Sequence, residues 1–167
     1  MTTTRAIALG GLTVGTLDAL DAALFFGPRG IPLDRIFRGI AGGLLGRDVA
    51  VAGGTATLVL GVVLHFFIAT MIVAVLVLAA RRVPALVRRP LVTGPIYGIL
   101  AWLVMNFVVI PLSTIGFGLP PTAAIINGLL IHMVGIGIPA ALFARVAGGG
   151  QGGGAGTGIG HHQSGPG

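Results

Sequence analysis

Cysteine, lysine and glutamate are all missing from this 167-residue chain. Without cysteine there is no disulfide, no thiol nucleophile and no thiolate metal site, and the redox compartment leaves no mark. Without lysine or glutamate, the usual water-facing helix surfaces cannot be built. Charge is scarce altogether: 8% of residues are charged and 54% are hydrophobic. A soluble domain of this size has no core large enough to hide so much apolar surface, so lipid is expected to cover much of it. Catalytic signatures are missing as well. There is no Walker loop, no HExxH, no GxSxG and no close cluster of carboxylates, and an enzyme is not expected.

The charge that is present comes from ten Arg and four Asp, a net +6. The arginines fall in short clusters between apolar runs, a pattern suited to anionic lipid headgroups rather than to a nucleic-acid groove. The bilayer is therefore the expected partner, and DNA and RNA are not.

A bilayer core needs about 20 apolar residues as helix. Four stretches meet that length, 6–26, 51–80, 91–117 and 122–146, which predicts an all-α, integral membrane four-helix bundle spanning residues 1–146. Arg5 ahead of an apolar run resembles a signal peptide, but no A-x-A site follows and Asp18 and Asp21 interrupt the run. Between the first two spans, Pro32 opens a segment in which Leu33, Ile36, Phe37, Ile40 and Leu44 recur at helical spacing opposite Asp34, Arg35 and Arg38. That pattern predicts an amphipathic helix over 32–45 at the membrane surface. The short second connection carries Arg81, Arg82, Arg88 and Arg89. By the positive-inside rule it belongs in the cytoplasm of a cell whose inner membrane holds the protein, with both termini on the same side. Six Arg then lie inside and four outside. The Gly-rich stretch 147–167 has too little apolar area to offset its ordering entropy and is expected to form no packed structure, with His161 and His162 simply solvated.

The second and fourth spans align without gaps. Thr55, Ala56, Gly61 and His65 fall on Thr122, Ala123, Gly128 and His132, an offset of 67 (65 to 132). The first and third align through Gly11, Gly15 and Pro28 on Gly94, Gly98 and Pro111, an offset of 83 (15 to 98). The extra amphipathic segment in the first half accounts for the difference. The chain reads as a tandem repeat of two helical hairpins, related by an axis along the membrane normal.

Each span carries small or polar residues at helical spacing, and in lipid these turn toward the bundle interior. His65, His132 and Asn106 are expected near mid-membrane, with Asp18, Asp21 and Asn127 toward the outer half, so that a polar intramembrane pocket follows. Asp18 and Asp21 are expected to pair with Arg29, Arg35 or Arg38 near the outer boundary, or else to exchange protons or orient a His ring. Trp102 reads as packing, and Pro111 and Pro139 as kinks. Met71, Met105 and Met133 read as filler, though with two His they have the donors of a soft-metal site.

The run Ala41-Gly42-Gly43-Leu44-Leu45-Gly46, with Leu60 to Phe66, Tyr97-Gly98 and Met105 to Ser113, resembles a family of small uncharacterised bacterial multi-pass membrane proteins. The resemblance covers most of residues 6–146 and implies a membrane location, but no functional residues.

Three functions fit this sequence. The first is a non-catalytic accessory or assembly subunit, in a homo-oligomer or larger complex, whose polar stripe locks helices together. The second is a b-type haem protein with His65 and His132 as axial ligands, Gly61 and Gly128 making room for the macrocycle. The third is a small proton- or cation-coupled transporter or channel using Asp18, Asp21, His65 and His132.

Overall fold

The computed structural model describes residues 1–116 and 118–149. Among them there is no strand, and four helical stretches are long and apolar enough to cross a membrane: Thr3–Arg29, Gly54–Arg82, Pro90–Leu112 and Thr122–Gly148. The protein is an all-α bundle with the dimensions of a multi-pass membrane protein. His161 and His162 lie outside the described residues.

Helix α1 (Thr3–Phe26) starts where the Thr2 hydroxyl accepts from the Arg5 N–H at 3.3 Å. After a 3₁₀ turn come α2 (Leu33–Leu45) and the short α3 (Arg47–Ala52), separated by Gly46 at φ +88°. Gly54, at φ +58°, makes the corner into α4 (Gly54–Arg82). The second span thus starts three residues later than its apolar run, because the two glycines at 53–54 break the helix. Helix α5 (Pro90–Val104) continues through a π turn (Met105–Val109) into α6 (Ile110–Leu112). That span ends at Leu112 instead of residue 117, since Ser113 turns extended at ψ 172° and its hydroxyl donates to the Ile110 carbonyl at 2.6 Å. Helix α7 (Thr122–Ile131) likewise passes through a π turn (His132–Gly137) into α8 (Ile138–Gly149).

The expected proline kinks take the form of these two π turns. In each, the residue just before the proline donates one position further back than in an α-helix, Ile110 to Met105 and Ile138 to Met133. The wider turn absorbs the break in hydrogen bonding that proline imposes.

The interior is built from small residues. Ala6, Val14, Val73, Ala140 and Ala141 are fully buried where α1, α4 and α8 meet, while leucines and valines such as Leu24, Val75 and Leu142 face outward. That inversion of the soluble pattern is what lipid-covered helices require.

The duplication reappears in the packing. A methyl group built on Gly11 would stand 2.8 Å from the Thr70 Cα, and one on Gly94 2.9 Å from the Gly137 carbonyl carbon. One on Gly15 would meet the Phe66 ring at 2.6 Å, and one on Gly98 the Met133 Cα at 2.8 Å. With offsets of 83 and 67, these are equivalent contacts: each hairpin crosses at the same glycines against the same positions of its second helix. The closest approach is in the second crossing, at Gly98, where a built methyl would stand 1.9 Å from the His132 carbonyl oxygen.

Helix α2 does more than rest on a surface. Its buried face (Phe37, Ala41, Gly42) packs on the first half of α4, and the Phe37 carbonyl lies against Gly61. Arg38 anchors it by donating to the Gly54 carbonyl at 2.8 Å, with Asp34 at 3.7 Å from its Nε. The turn after α6 binds it from the other hairpin: the Thr114 N–H donates to the Gly43 carbonyl at 3.0 Å and the Thr114 hydroxyl to the Gly42 carbonyl at 2.6 Å.

Candidate functional site: a cavity with converging polar side chains

The four spans line a partly open cavity of about 350 Å³, roofed by Gly39, Ile40 and Gly43 of α2 and by Ser113 and Ile115. Asp18 and His65 enter it from the first hairpin, and Trp102, Asn106 and His132 from the second. Its remaining walls are aliphatic, including Val14, Ile68, Ile72 and Ile136. That volume lies at the small end of ligand sites, which are typically apolar with a few convergent polar groups.

Each histidine is tied down by one nitrogen. His65 Nε2 donates to the Gly15 carbonyl at 2.8 Å, across to the neighbouring helix. The Phe37 and Phe66 rings meet its imidazole edge-on, with centroids 5.4 and 5.2 Å away. His132 Nδ1 donates to the Gly128 carbonyl one turn back, also at 2.8 Å. These bonds set the tautomers and leave His65 Nδ1 and His132 Nε2 as the nitrogens able to take up a proton. His65 Nδ1 lies 3.9 Å from an Asp18 carboxylate oxygen, and His132 lines the same cavity. The Asp18 carboxylate is partly exposed, while His65 is buried.

Asp21 and Asn127 do not line the cavity; the Asn127 amide donates to the Asp21 carboxylate at 2.7 Å, joining α1 to α7. The pairing of Asp18 and Asp21 with arginine is therefore corrected. Among the described residues, Arg38 engages Asp34 and Gly54, and Arg29 stacks on the Phe25 ring at 3.8 Å while donating to the Phe25 carbonyl. The carboxylates sit a turn or more inside the helix, out of reach of that collar. Asn106 faces the cavity but donates to the Trp102 carbonyl at 2.9 Å.

The haem arrangement does not fit. Gly61 holds the Phe37 backbone and Gly128 lies 2.7 Å, as a built methyl, from the Trp102 indole nitrogen, so neither glycine leaves room for a macrocycle. The Nε2 of His65 is spent on Gly15. Met71 is exposed and Met133 packs against Gly98, which separates both from Met105 at the cavity wall. No cluster of three His, Cys, Asp or Glu suited to a metal ion occurs among the described residues.

Sequence patterns did not reveal the roof. Gly39, Ile40 and Gly43 belong to the apolar face of α2, whose burial against α4 and the 113–115 turn places them over the cavity. The Gly15 carbonyl, the anchor of His65, had no sequence signal at all.

The fold and its site define a class: a multi-pass, lipid-exposed helical bundle with a largely apolar cavity into which a few polar side chains converge. Comparison with protein-family models, with curated proteins and with solved structures gave no match to this chain.

Proposed function

We propose that this protein is a small proton- or cation-coupled transporter or channel of the bacterial inner membrane, with Asp18, His65 and His132 as its binding centre. The observation that carries the reading is the convergence of those three ionisable groups, one from each of three spans, on a single cavity. Ionisable groups within spans are costly and mark ion or proton paths. In this arrangement Asp18 and the free nitrogens of the two rings hand a proton between the hairpins, across a cavity walled by Trp102 and aliphatic side chains. The accessory-subunit reading draws on the small-residue stripes, but Gly11, Gly15, Gly94 and Gly98 are filled from within the chain and leave no vacant groove for a partner helix. The chain is non-catalytic in this reading, and works alone or as a homo-oligomer.

The test is flux. Full-length protein reconstituted in liposomes with a trapped pH dye should dissipate an imposed gradient faster than empty liposomes, and Asp18→Asn should return the rate to that of empty liposomes while the helical circular dichroism persists. Flux unchanged by Asp18→Asn would exclude this centre, and absence of any flux would leave the accessory role standing.

A further inference from the structure

The net charge of this protein is concentrated at one end. Arg5, Arg81, Arg82, Arg88, Arg89 and Arg145 stand where α1 begins, α4 ends, α5 begins and α8 ends, while all four Asp lie elsewhere, at 18, 21, 34 and 48. The other four arginines share the rest of the chain with those four carboxylates. The whole +6 thus belongs to the end away from α2. That end also contains a cleft of about 420 Å³ between the end of α4, the 3₁₀ turn Pro84–Val87 and the end of α8. Arg81, Arg88 and Arg145 line it, over a floor formed by Ala80 and the buried Val87.

Three guanidinium groups from three separate elements around one small cleft repel one another, and neither ion pair among the described residues includes any of them. A ligand with several acceptor oxygens and negative charge relieves that repulsion, and guanidinium forks match phosphate in particular. We propose that the cleft binds a phosphate-bearing anion, and that the phosphate is that of an anionic phospholipid headgroup. The lipid source follows from what lies beneath the arginines. Leu78 (51% exposed) and Leu142 (44% exposed) each sit three residues before an arginine of the cleft on the same helix, offering apolar surface to an acyl chain directly below the headgroup. Basic pockets between spanning helices at the membrane surface are suited to such headgroups.

The experiment is native mass spectrometry of the full-length, detergent-purified protein titrated with phosphatidylglycerol or phosphatidylcholine, beside equilibrium binding of radiolabelled inorganic phosphate. The wild type should retain phosphatidylglycerol in preference to phosphatidylcholine. The triple variant Arg81→Gln/Arg88→Gln/Arg145→Gln should lose affinity on the order of 100-fold, and Arg88→Gln alone roughly fivefold, from the usual contribution of each basic residue near anionic lipid. Arg29→Gln/Arg35→Gln/Arg47→Gln removes the same charge at the other end and should leave binding almost unchanged. The single variant keeps the test valid should the triple variant misfold. Saturable binding of inorganic phosphate that displaces the lipid would keep the phosphate site and reject the lipid source. Equal losses in the two triple variants, or equal retention of the two lipids, would overturn the proposal.

Discussion

Gly98→Ala is the sharpest test of the helix packing, because what its methyl group meets is backbone. Built on the structure, that carbon stands 1.9 Å from the His132 carbonyl oxygen and 2.5 Å from the carbonyl carbon. No rotamer change can move those atoms; α5 and the π turn of the fourth span must separate. Overpacking of this kind costs about 1–3 kcal/mol, and occasionally more, with a rigid obstacle at the upper end. Gly15→Ala, at the equivalent crossing, meets the Phe66 ring at 2.6 Å and the Ala69 methyl at 3.3 Å. A ring can swing away, so about 1 kcal/mol is expected there. Gly39→Ala, with nothing within 4 Å of the built methyl, is the control and should be neutral or slightly stabilising, since alanine favours a helix over glycine. Equilibrium unfolding in mixed micelles, followed by circular dichroism, should rank them Gly98→Ala, Gly15→Ala, Gly39→Ala from most to least destabilised. If Gly98→Ala falls within about 0.5 kcal/mol of the control, the usual range of surface substitutions, then the close crossing of the second hairpin is wrong.

Two further outcomes follow. A double-mutant cycle on Asp21→Ala and Asn127→Ala should give a coupling of about 0.6–1.7 kcal/mol, the range for hydrogen bonds between spanning helices, and a coupling near zero would place the two residues apart. With the arginine-rich end inside, a cysteine replacing Ala85 should resist a membrane-impermeant maleimide in intact cells and react after permeabilisation; labelling in intact cells would reverse the orientation.

The spans were legible in the sequence because the bilayer imposes a requirement on length and composition that apolar runs report directly. Their ends were less so. Ile115 and Phe117 extend the apolar run past Leu112, and nothing in hydropathy registers that Ser113 has left the helix. The cavity residues Asp18, His65, Asn106 and His132 were legible as rare polar groups on inward stripes. Their partners were not. The apolar face of α2 has the same pattern whether it meets lipid or α4, and a glycine beside a histidine suits a macrocycle, a helix backbone or an indole equally well. Asp21 finds an amide on α7 in place of an arginine on α2 because the choice depends on helix proximity, which a linear sequence does not encode.

The cavity itself follows from how the two hairpins have diverged around a shared crossing. The glycines that set the crossing are common to both, so α1 against α4 and α5 against the fourth span adopt one geometry. The residues around that crossing differ. At the offset of 83, Asp18 and Asp21 correspond to Ala101 and Val104, so the carboxylates come from the first hairpin alone, while both hairpins supply a histidine. Gly61 and Gly128 also correspond, yet Gly61 receives the backbone of the inserted helix α2 and Gly128 the indole of Trp102. The insertion closes the first hairpin and roofs the cavity, and the bulky indole forms a wall in the second. A strictly symmetric pair of hairpins would carry either two sets of carboxylates or none, and either two inserted helices or none. Asymmetry is therefore what turns a repeated packing motif into a site: the repeat provides two imidazoles that face one space, and the divergence provides the single acid, the roof and the wall that give that space a chemistry.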